Sequence, residues 1–185
     1  AEAKKYLDWS KPWHTLVEGD FSHLPIKWFV GGELNICYNA IDRHLNNKAN
    51  NVAIIWEGNE VTETQIITYQ DLYEHVCRLA NLLKSLNIKA GDVVCIYLPS
   101  IPEAIYTMLA CARIGAIHNV IFGGFSKESI HQRIQDSKAK LVVTVNASKR
   151  GYKCIDFKTT IDESLKEIDS VEHVLVINRL NLPCN

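Results

Sequence analysis

The sequence lacks the two glycine-rich motifs that most often bind nucleotide phosphates. Neither GxGxxG nor GxxxxGK[ST] occurs in the 185 residues, so nucleotide binding cannot be argued from a phosphate loop. CxxC and HExxH spacings are also absent, because the six cysteines and seven histidines are dispersed along the chain. These absences argue against a zinc site, a redox pair of cysteines and a metalloprotease.

A strong excess of one charge and long apolar runs are missing as well. The formal net charge is −1, which excludes the basic field that nucleic acid or an anionic membrane surface requires. No apolar run reaches the roughly 18 residues that span a bilayer, and the N-terminus has no secretory h-region. Cys77, Cys95 and Cys111 lie in apolar segments, where reduced thiols are typical of cytosolic proteins. We therefore expect a cytoplasmic protein with no nucleic-acid partner, no membrane partner, no bound metal and no catalytic cysteine.

The sequence does contain enough apolar residues for one substantial core, because 47% of its residues are hydrophobic. Residues 93–98 and 117–122 are continuous apolar runs, which predict two parallel strands buried on both faces. Between them, Ser100 with Glu103 predicts a capping box at the start of an apolar helix, and Gly115 predicts its end. Together these segments predict a βαβ unit at the centre of an α/β fold.

Periodicity extends this unit on both sides. Helices are predicted over 36–45, 69–86 and 159–168 and from Ser126 to about 137. Strands are predicted over 52–57, 66–69, 140–145 and 173–177, and a loop is predicted over 146–152. Thr68 and Ser126 are the expected N-caps. Arg113, in the last turn of the central helix, is expected only to complement the helix dipole.

The chain divides at about residue 50. Residues 1–50 predict an aromatic-rich arm and a helix that pack on a larger body, because aromatic side chains bury much area without a core of their own. Residues 51–185 predict the first α/β subdomain. The chain stops at residues 182–185 with no closing element, so we expect a fragment of a longer protein.

A pair of glycines follows the second strand of the central unit, in Phe122-Gly123-Gly124. Open α/β sheets bind ligands at the carboxyl ends of their strands, and a simple tight turn is the alternative interpretation. Lys149 and Arg150 belong to the one concentrated basic cluster of the sequence, which can return to the same sheet edge through one helix and one strand. The alternative for that cluster is a solvated surface.

With these residues in view, the chain resembles the acetyl-CoA synthetases of the adenylate-forming acyl-CoA synthetase superfamily. The resemblance covers almost the whole chain and rests on WFVGGELNICYNAIDRHL, VAIIWEGNE, the segment from ITYQ to FGGFS, and RIQDSKAKLVVTVNASKRGYK. It implies the N-terminal part of the large adenylate-forming domain, with a parallel-rich βαβ sheet, flanking helices and an extended aromatic N-terminal arm.

The resemblance also implies a reaction. Such enzymes join acetate to ATP with Mg²⁺, release pyrophosphate, and pass the acetyl group from acetyl-AMP to CoA. The family's phosphate loop, ribose-binding aspartate and catalytic lysine do not occur in these 185 residues, so no catalytic residue is expected here and the ATP and Mg²⁺ sites are expected elsewhere. A propionyl-CoA or other short-chain acyl-CoA synthetase, and a non-catalytic CoA-binding α/β module, remain alternatives.

The same resemblance implies a CoA-binding surface made of two segments. The implied residues are Phe122, Gly123 and Gly124 beside the adenosine moiety, Arg150, Gly151, Tyr152 and Lys153 around the 3′-phosphate, and Ile155. Lys153 stands where the family commonly has arginine, which exchanges a bidentate fork for a point charge. Tyr152 replaces a small residue.

Overall fold

The computed structural model describes residues 2–180 of the chain. The helices are α1 (Glu2–Tyr6), α2 (Ile36–Ala40), α3 (Leu45–Lys48), α4 (Tyr69–Ser85), α5 (Pro102–Ile114), α6 (Lys127–Ser137) and α7 (Phe157–Ser164), with a 3-10 turn at Asp42–His44. The strands are β1 (Thr15–Asp20), β2 (His23–Val30), β3 (Val52–Glu57), β4 (Thr64–Thr68), β5 (Val93–Tyr97), β6 (Ile117–Val120), β7 (Leu141–Val145), β8 (Ala147–Arg150), β9 (Lys153–Asp156) and β10 (His173–Ile177). No helix within residues 2–180 is long and apolar enough to cross a membrane. Cys184 and the expected stop at 182–185 lie outside the described residues.

A parallel sheet of four strands, in the order β10-β7-β5-β6, forms the centre of the molecule. Val94 of β5 lies beside Leu141 of β7 on one side and His118 of β6 on the other. The chain moves from β5 to β6 in one direction and then crosses back to β7, so right-handed connections place α5 and α6 on opposite faces. The predicted βαβ unit and the α/β class are confirmed.

Three predicted helix boundaries are confirmed. Thr68 Oγ1 accepts from the backbone N–H of Asp71 at 3.2 Å, and the Asp71 carboxylate accepts from the Thr68 N–H at 3.0 Å, which completes a capping box. Ser126 caps α6. Gly115 ends α5 with φ +77°, in the left-handed region that favours glycine.

The predicted cap at Ser100 is wrong. The N-cap of α5 is Ile101, with no side-chain hydrogen bond, and Pro102 takes the first helical turn, where no intrahelical donor is required. The backbone carbonyl of Ser100 accepts instead from Trp56 Nε1 at 2.7 Å. Ser100 therefore connects β3 to the start of α5.

The predicted burial of the second central strand is also wrong. β5 and β7 are buried along nearly their whole length, but Ile117 and Val120 of β6 are 54% and 52% exposed. β6 is the edge strand of the sheet within the described residues. Its apolar composition predicted burial, whereas its position in the sheet leaves one side without a neighbour.

Two antiparallel hairpins were not predicted. β1 pairs with β2 inside the segment interpreted as an irregular arm, and β8 pairs with β9 where 146–152 was predicted to be a loop. β1, β2 and β9 carry mostly exposed residues, whereas Ala147 and Ser148 of β8 are buried. A strand that buries neither face has no apolar alternation, so its sequence gives no period-2 signal.

The helix predicted over 36–45 is interrupted at Ile41. Its apolar spacing fits one continuous helix, but Ile41 has φ −126° and ψ −68° and is fully buried. The chain continues as the 3-10 turn, which brings Asp42 to Arg113 of α5. The arginine donates two hydrogen bonds to the carboxylate, at 2.6 and 3.0 Å. Its guanidinium lies 5.2 Å from the ring centroid of Tyr73.

Arg113 therefore does more than complement the helix dipole, which corrects the sequence-based expectation. The side chains of the pair are 22% and 19% exposed. Burial alone would lower the pKa of the guanidinium, but its hydrogen bonds to Asp42 raise it overall. The pair joins the segment after α2 to α5 through a bidentate contact that is largely shielded from water.

Replacing Arg113 with alanine should destabilise the fold by about 2 to 4 kcal/mol, because Asp42 is left as a largely buried charge without its partner. Chemical denaturation measures this change. Arg78→Ala is the matched control, since Arg78 pairs with Glu74 on the exposed surface of α4 and should cost about 1 kcal/mol or less. Equal losses in the two variants would mean that the contact with Asp42 contributes no more than a surface pair.

Candidate functional site

A cleft of about 500 Å³ opens at the carboxyl ends of β5 and β6. The tip of the β3–β4 hairpin and the strands of the β8–β9 hairpin form its walls, and the residues after β10 line one end. Its lining residues are grouped in the chain at 56–59, 63, 98–101, 104, 120–123, 148–150, 155, 157 and 179–180. This is the edge at which open α/β sheets bind ligands.

The glycine pair forms a tight turn and also lies at this cleft, so both interpretations of it describe the structure. The N–H of Phe125 donates to the carbonyl of Phe122 at 3.1 Å and closes the turn. A Cβ on Gly124 would lie 2.9 Å from the ring of Phe122, and one on Gly123 would lie 3.2 Å from the ring of Phe157. Space is therefore the reason for both glycines, and their absence of side chains keeps the backbone accessible at the cleft.

Arg150 lies at the end of β8 and faces the glycine turn. A Cβ on Gly124 would be 3.8 Å from Arg150 Nη2, and Arg150 lines the cleft together with Phe122. The ring of Phe122 is 62% exposed. Of the predicted basic cluster, Arg150 lies beside the glycine turn, on a hairpin and not on a loop.

The other two cations of the cleft have partners. Lys149 Nζ lies 3.2 Å from Glu60 Oε1, and its hydrogen bond lowers the pKa of that carboxyl. Arg179 donates to both carboxylate oxygens of Glu63, at 3.0 and 3.1 Å. Within residues 2–180, Arg150 makes no side-chain hydrogen bond or ion pair. Of the three cations that line the cleft in this part of the chain, it is the one whose donors are free to bind a ligand. A free guanidinium at the rim of a cleft can bind an anion such as a phosphate.

The eight sequence-predicted site residues do not all reach the cleft. Phe122, Gly123, Arg150 and Ile155 line it, and Gly124 lies directly behind Phe122 and Arg150. Gly151, Tyr152 and Lys153 form the exposed tip of the β8–β9 hairpin and are not part of the lining. Tyr152 is fully exposed and Lys153 is exposed.

Sequence reasoning missed the opposite wall of the cleft. Trp56, Asn59 and Glu63 come from the β3–β4 hairpin, and Arg179 follows β10. The guanidinium of Arg179 lies 5.2 Å from the ring centroid of Trp56. Glu63 and Arg179 are 116 residues apart in sequence, so no local pattern could have paired them. The family resemblance included VAIIWEGNE from this hairpin, but it implied no site residue there.

The three buried thiols are unreactive, and the described residues offer no metal cluster. Burial raises the pKa of Cys111 to about 12 and that of Cys37 to about 11, and it also raises the pKa of Cys95. These groups therefore stay protonated near neutral pH and are poor nucleophiles. Across the part of the chain that the structure describes, no group of three or more histidine, cysteine, aspartate or glutamate residues could hold a metal ion.

Comparison with known protein families gives two matches, which together cover the chain. Residues 41–185 match the family described as AMP-binding enzyme. Residues 1–40 match the family described as acetyl-coenzyme A synthetase N-terminus. The boundary lies within the break between α2 and the 3-10 turn.

Individual relatives agree with the family matches. The chain is 49% identical over 178 residues to acetyl-coenzyme A synthetase 2 of Pseudomonas aeruginosa, covering 96% of this chain and 28% of that protein. It is 47% identical over 182 residues to acetyl-coenzyme A synthetase of Dictyostelium discoideum, covering 98% of this chain and 27% of the relative. Acetoacetyl-CoA synthetase from Streptomyces lividans superposes with a TM-score of 0.90 at 26% identity, over 99% of this chain and 28% of that one. The chain thus spans little more than a quarter of the length of these relatives.

Proposed function

Because the chain belongs to the AMP-binding enzyme family, we propose that it is the N-terminal part of an ATP-dependent acetate–CoA ligase. In this reaction an acetate oxygen attacks the α-phosphorus of ATP, the bond to the β-phosphate breaks, and pyrophosphate leaves. The CoA thiolate then attacks the carbonyl carbon of acetyl-AMP, and AMP leaves. The named acetyl-CoA synthetases at 47 to 49% identity support acetate as the acyl substrate.

The role of this chain is to bind the nucleotide end of CoA in the cleft. The observation that carries this proposal is the guanidinium of Arg150, which has no side-chain partner within residues 2–180 and lines the cleft together with the exposed Phe122. The 3′-phosphate would accept hydrogen bonds from Arg150, which as a planar fork can donate two of them to one phosphate. The adenine would lie against the ring of Phe122 and the side chain of Ile155.

Of the remaining residues that the resemblance implied, Gly124 has a supporting role. Its lack of a side chain leaves space for the ring of Phe122, 2.9 Å from where a Cβ would lie. Lys153 and Tyr152 lie at the hairpin tip, so we propose that their contribution is weaker and that Lys153 acts mainly through long-range charge.

The remaining substrates would bind elsewhere in the whole protein. Residues 2–180 contain no cluster that fits a metal ion, so we assign no Mg²⁺ ligand to them and propose that Mg²⁺ enters bound to ATP. We propose that residues 1–50 serve as an arm on the first α/β subdomain formed by 51–185. We also propose a cytoplasmic location, which the free thiols of Cys37, Cys95 and Cys111 support.

The test is acetyl-CoA formation by the whole protein that contains this chain. With ATP, Mg²⁺, acetate and CoA, it should release AMP and pyrophosphate in equal amounts, and acetate should give a higher kcat/KM than propionate or acetoacetate. A preference for a longer acid would keep the reaction class and replace the substrate. Binding of CoA with no AMP formed from any short-chain acid would reject the ligase and favour a CoA-binding module.

A further inference from the structure

The tip of the β3–β4 hairpin holds the turn of the β8–β9 hairpin through a single side chain. The backbone N–H of Gly151 donates to Asn59 Oδ1 at 2.7 Å, and Asn59 Nδ2 donates to the carbonyl of Gly151 at 3.2 Å. One amide side chain therefore satisfies both the donor and the acceptor of one peptide residue. The two residues are 92 positions apart in sequence, so the contact fixes one wall of the cleft against the other.

Asn59 is itself held in place. Its backbone N–H donates to Glu63 Oε2 at 3.1 Å, and Glu63 is bound by both hydrogen bonds from Arg179. The N–H of Gly58 also donates to the carbonyl of Glu63 at 2.7 Å, which closes the hairpin tip. Asn59 is therefore fixed to a tip that is anchored to the residues following β10.

Besides the Asn59 contact, the β8–β9 turn is held by the pairing of its two strands and by the Lys149–Glu60 ion pair next to it. Gly151 has φ +57°, a backbone conformation that glycine adopts without strain. A Cβ added to Gly151 would meet nothing within 4 Å, and Tyr152 is fully exposed. Arg150 immediately precedes this turn and has no side-chain partner within residues 2–180. A turn without the Asn59 contact would be looser, and restricting it when a ligand binds would lower affinity.

We propose that Asn59 is a positioning residue that holds the Gly151 turn and so presents Arg150 to the phosphate of CoA. The proposal rests on the CoA site proposed above. Asn59 acts through Arg150, so it should affect CoA and leave the formation of acetyl-AMP unchanged. The Lys149–Glu60 ion pair is an additional tie between the same two hairpins, so loss of Asn59 should loosen the turn without releasing it.

The experiment compares Asn59→Ala, Arg150→Ala and the double variant in the whole protein. Asn81→Ala is the matched control, because Asn81 is an exposed asparagine on α4 that does not line the cleft. Asn59→Ala should raise the KM for CoA by roughly 5- to 20-fold, from the loss of two neutral hydrogen bonds and the added ordering cost. The rate of acetate-dependent pyrophosphate exchange should stay within about twofold of wild type. In the double variant the KM should be close to that of Arg150→Ala, because Asn59 has no arginine left to position.

Limited trypsin digestion gives a readout that does not involve CoA. Cleavage of the Arg150–Gly151 bond, followed by mass spectrometry, should be several-fold faster in Asn59→Ala than in wild type or Asn81→Ala, because the turn opens more often.

The outcomes separate the two proposals. A raised KM in Arg150→Ala, with Asn59→Ala indistinguishable from Asn81→Ala in KM and cleavage, would reject the role of Asn59 and keep the CoA site. Additive effects in the double variant would also reject positioning through Arg150. An unchanged KM for CoA in Arg150→Ala would reject the CoA site and this inference with it.

Discussion

Replacing Arg150 with alanine should raise the KM for CoA by about 10- to 150-fold, because a charge-assisted hydrogen bond to phosphate contributes about 1.5 to 3 kcal/mol. Acetyl-AMP formation needs no CoA, so acetate-dependent pyrophosphate exchange should be nearly unchanged. Steady-state kinetics of the whole protein and the exchange assay measure the two quantities separately.

Two controls define the origin of that effect. Arg150→Lys keeps the charge but loses the bidentate fork, so its KM should lie between those of wild type and Arg150→Ala. Arg78→Ala removes an exposed arginine that pairs with Glu74 on α4 and should leave the KM for CoA unchanged. An equal rise in Arg78→Ala would show that net charge alone, and not the position of Arg150, changes CoA binding.

The 185-residue chain by itself should give no acetate-dependent exchange of pyrophosphate into ATP. The sequence contains no phosphate-binding loop, and phosphoryl chemistry depends on positioned cations and backbone donors around the transferring charge. The whole protein is the positive control in the same assay. Exchange above the blank by the purified 185 residues would mean that they hold an adenylation site that we have not recognised.

Sequence alone predicted the parts of the fold in which local chemistry and burial agree. The apolar runs of β5 and β7, the N-cap at Thr68, and the left-handed end of α5 at Gly115 all occur as expected. In each case the residue types meet a requirement that lies within a few positions of the chain.

The parts that sequence could not predict depend on contacts between distant segments. Ile41 fits a helix by its spacing, but its buried position breaks the helix and brings Asp42 to Arg113. Ser100 does not cap α5 because Ile101 is the N-cap, and the carbonyl of Ser100 accepts from Trp56, 44 residues away. At both positions a contact between distant segments accompanies the departure from the local preference.

The candidate site shows the same division. Phe122, Gly123 and Arg150 were predicted from the resemblance, and the structure brings them to one cleft. Asn59 and Arg179 were not predicted, because their partners are 92 and 116 residues away. Short polar segments such as these carry no periodicity, and their roles emerge only when the hairpins are placed in space.

The most direct test of the CoA site is the preference of the whole protein for CoA over dephospho-CoA, which lacks only the 3′-phosphate. The kcat/KM ratio between the two substrates is measured in wild type and in Arg150→Ala. If Arg150 binds the 3′-phosphate, wild type should favour CoA by about 10- to 150-fold, and the variant should lose most of that preference. A variant that keeps the full preference would contradict the account and return Arg150 to the solvated surface.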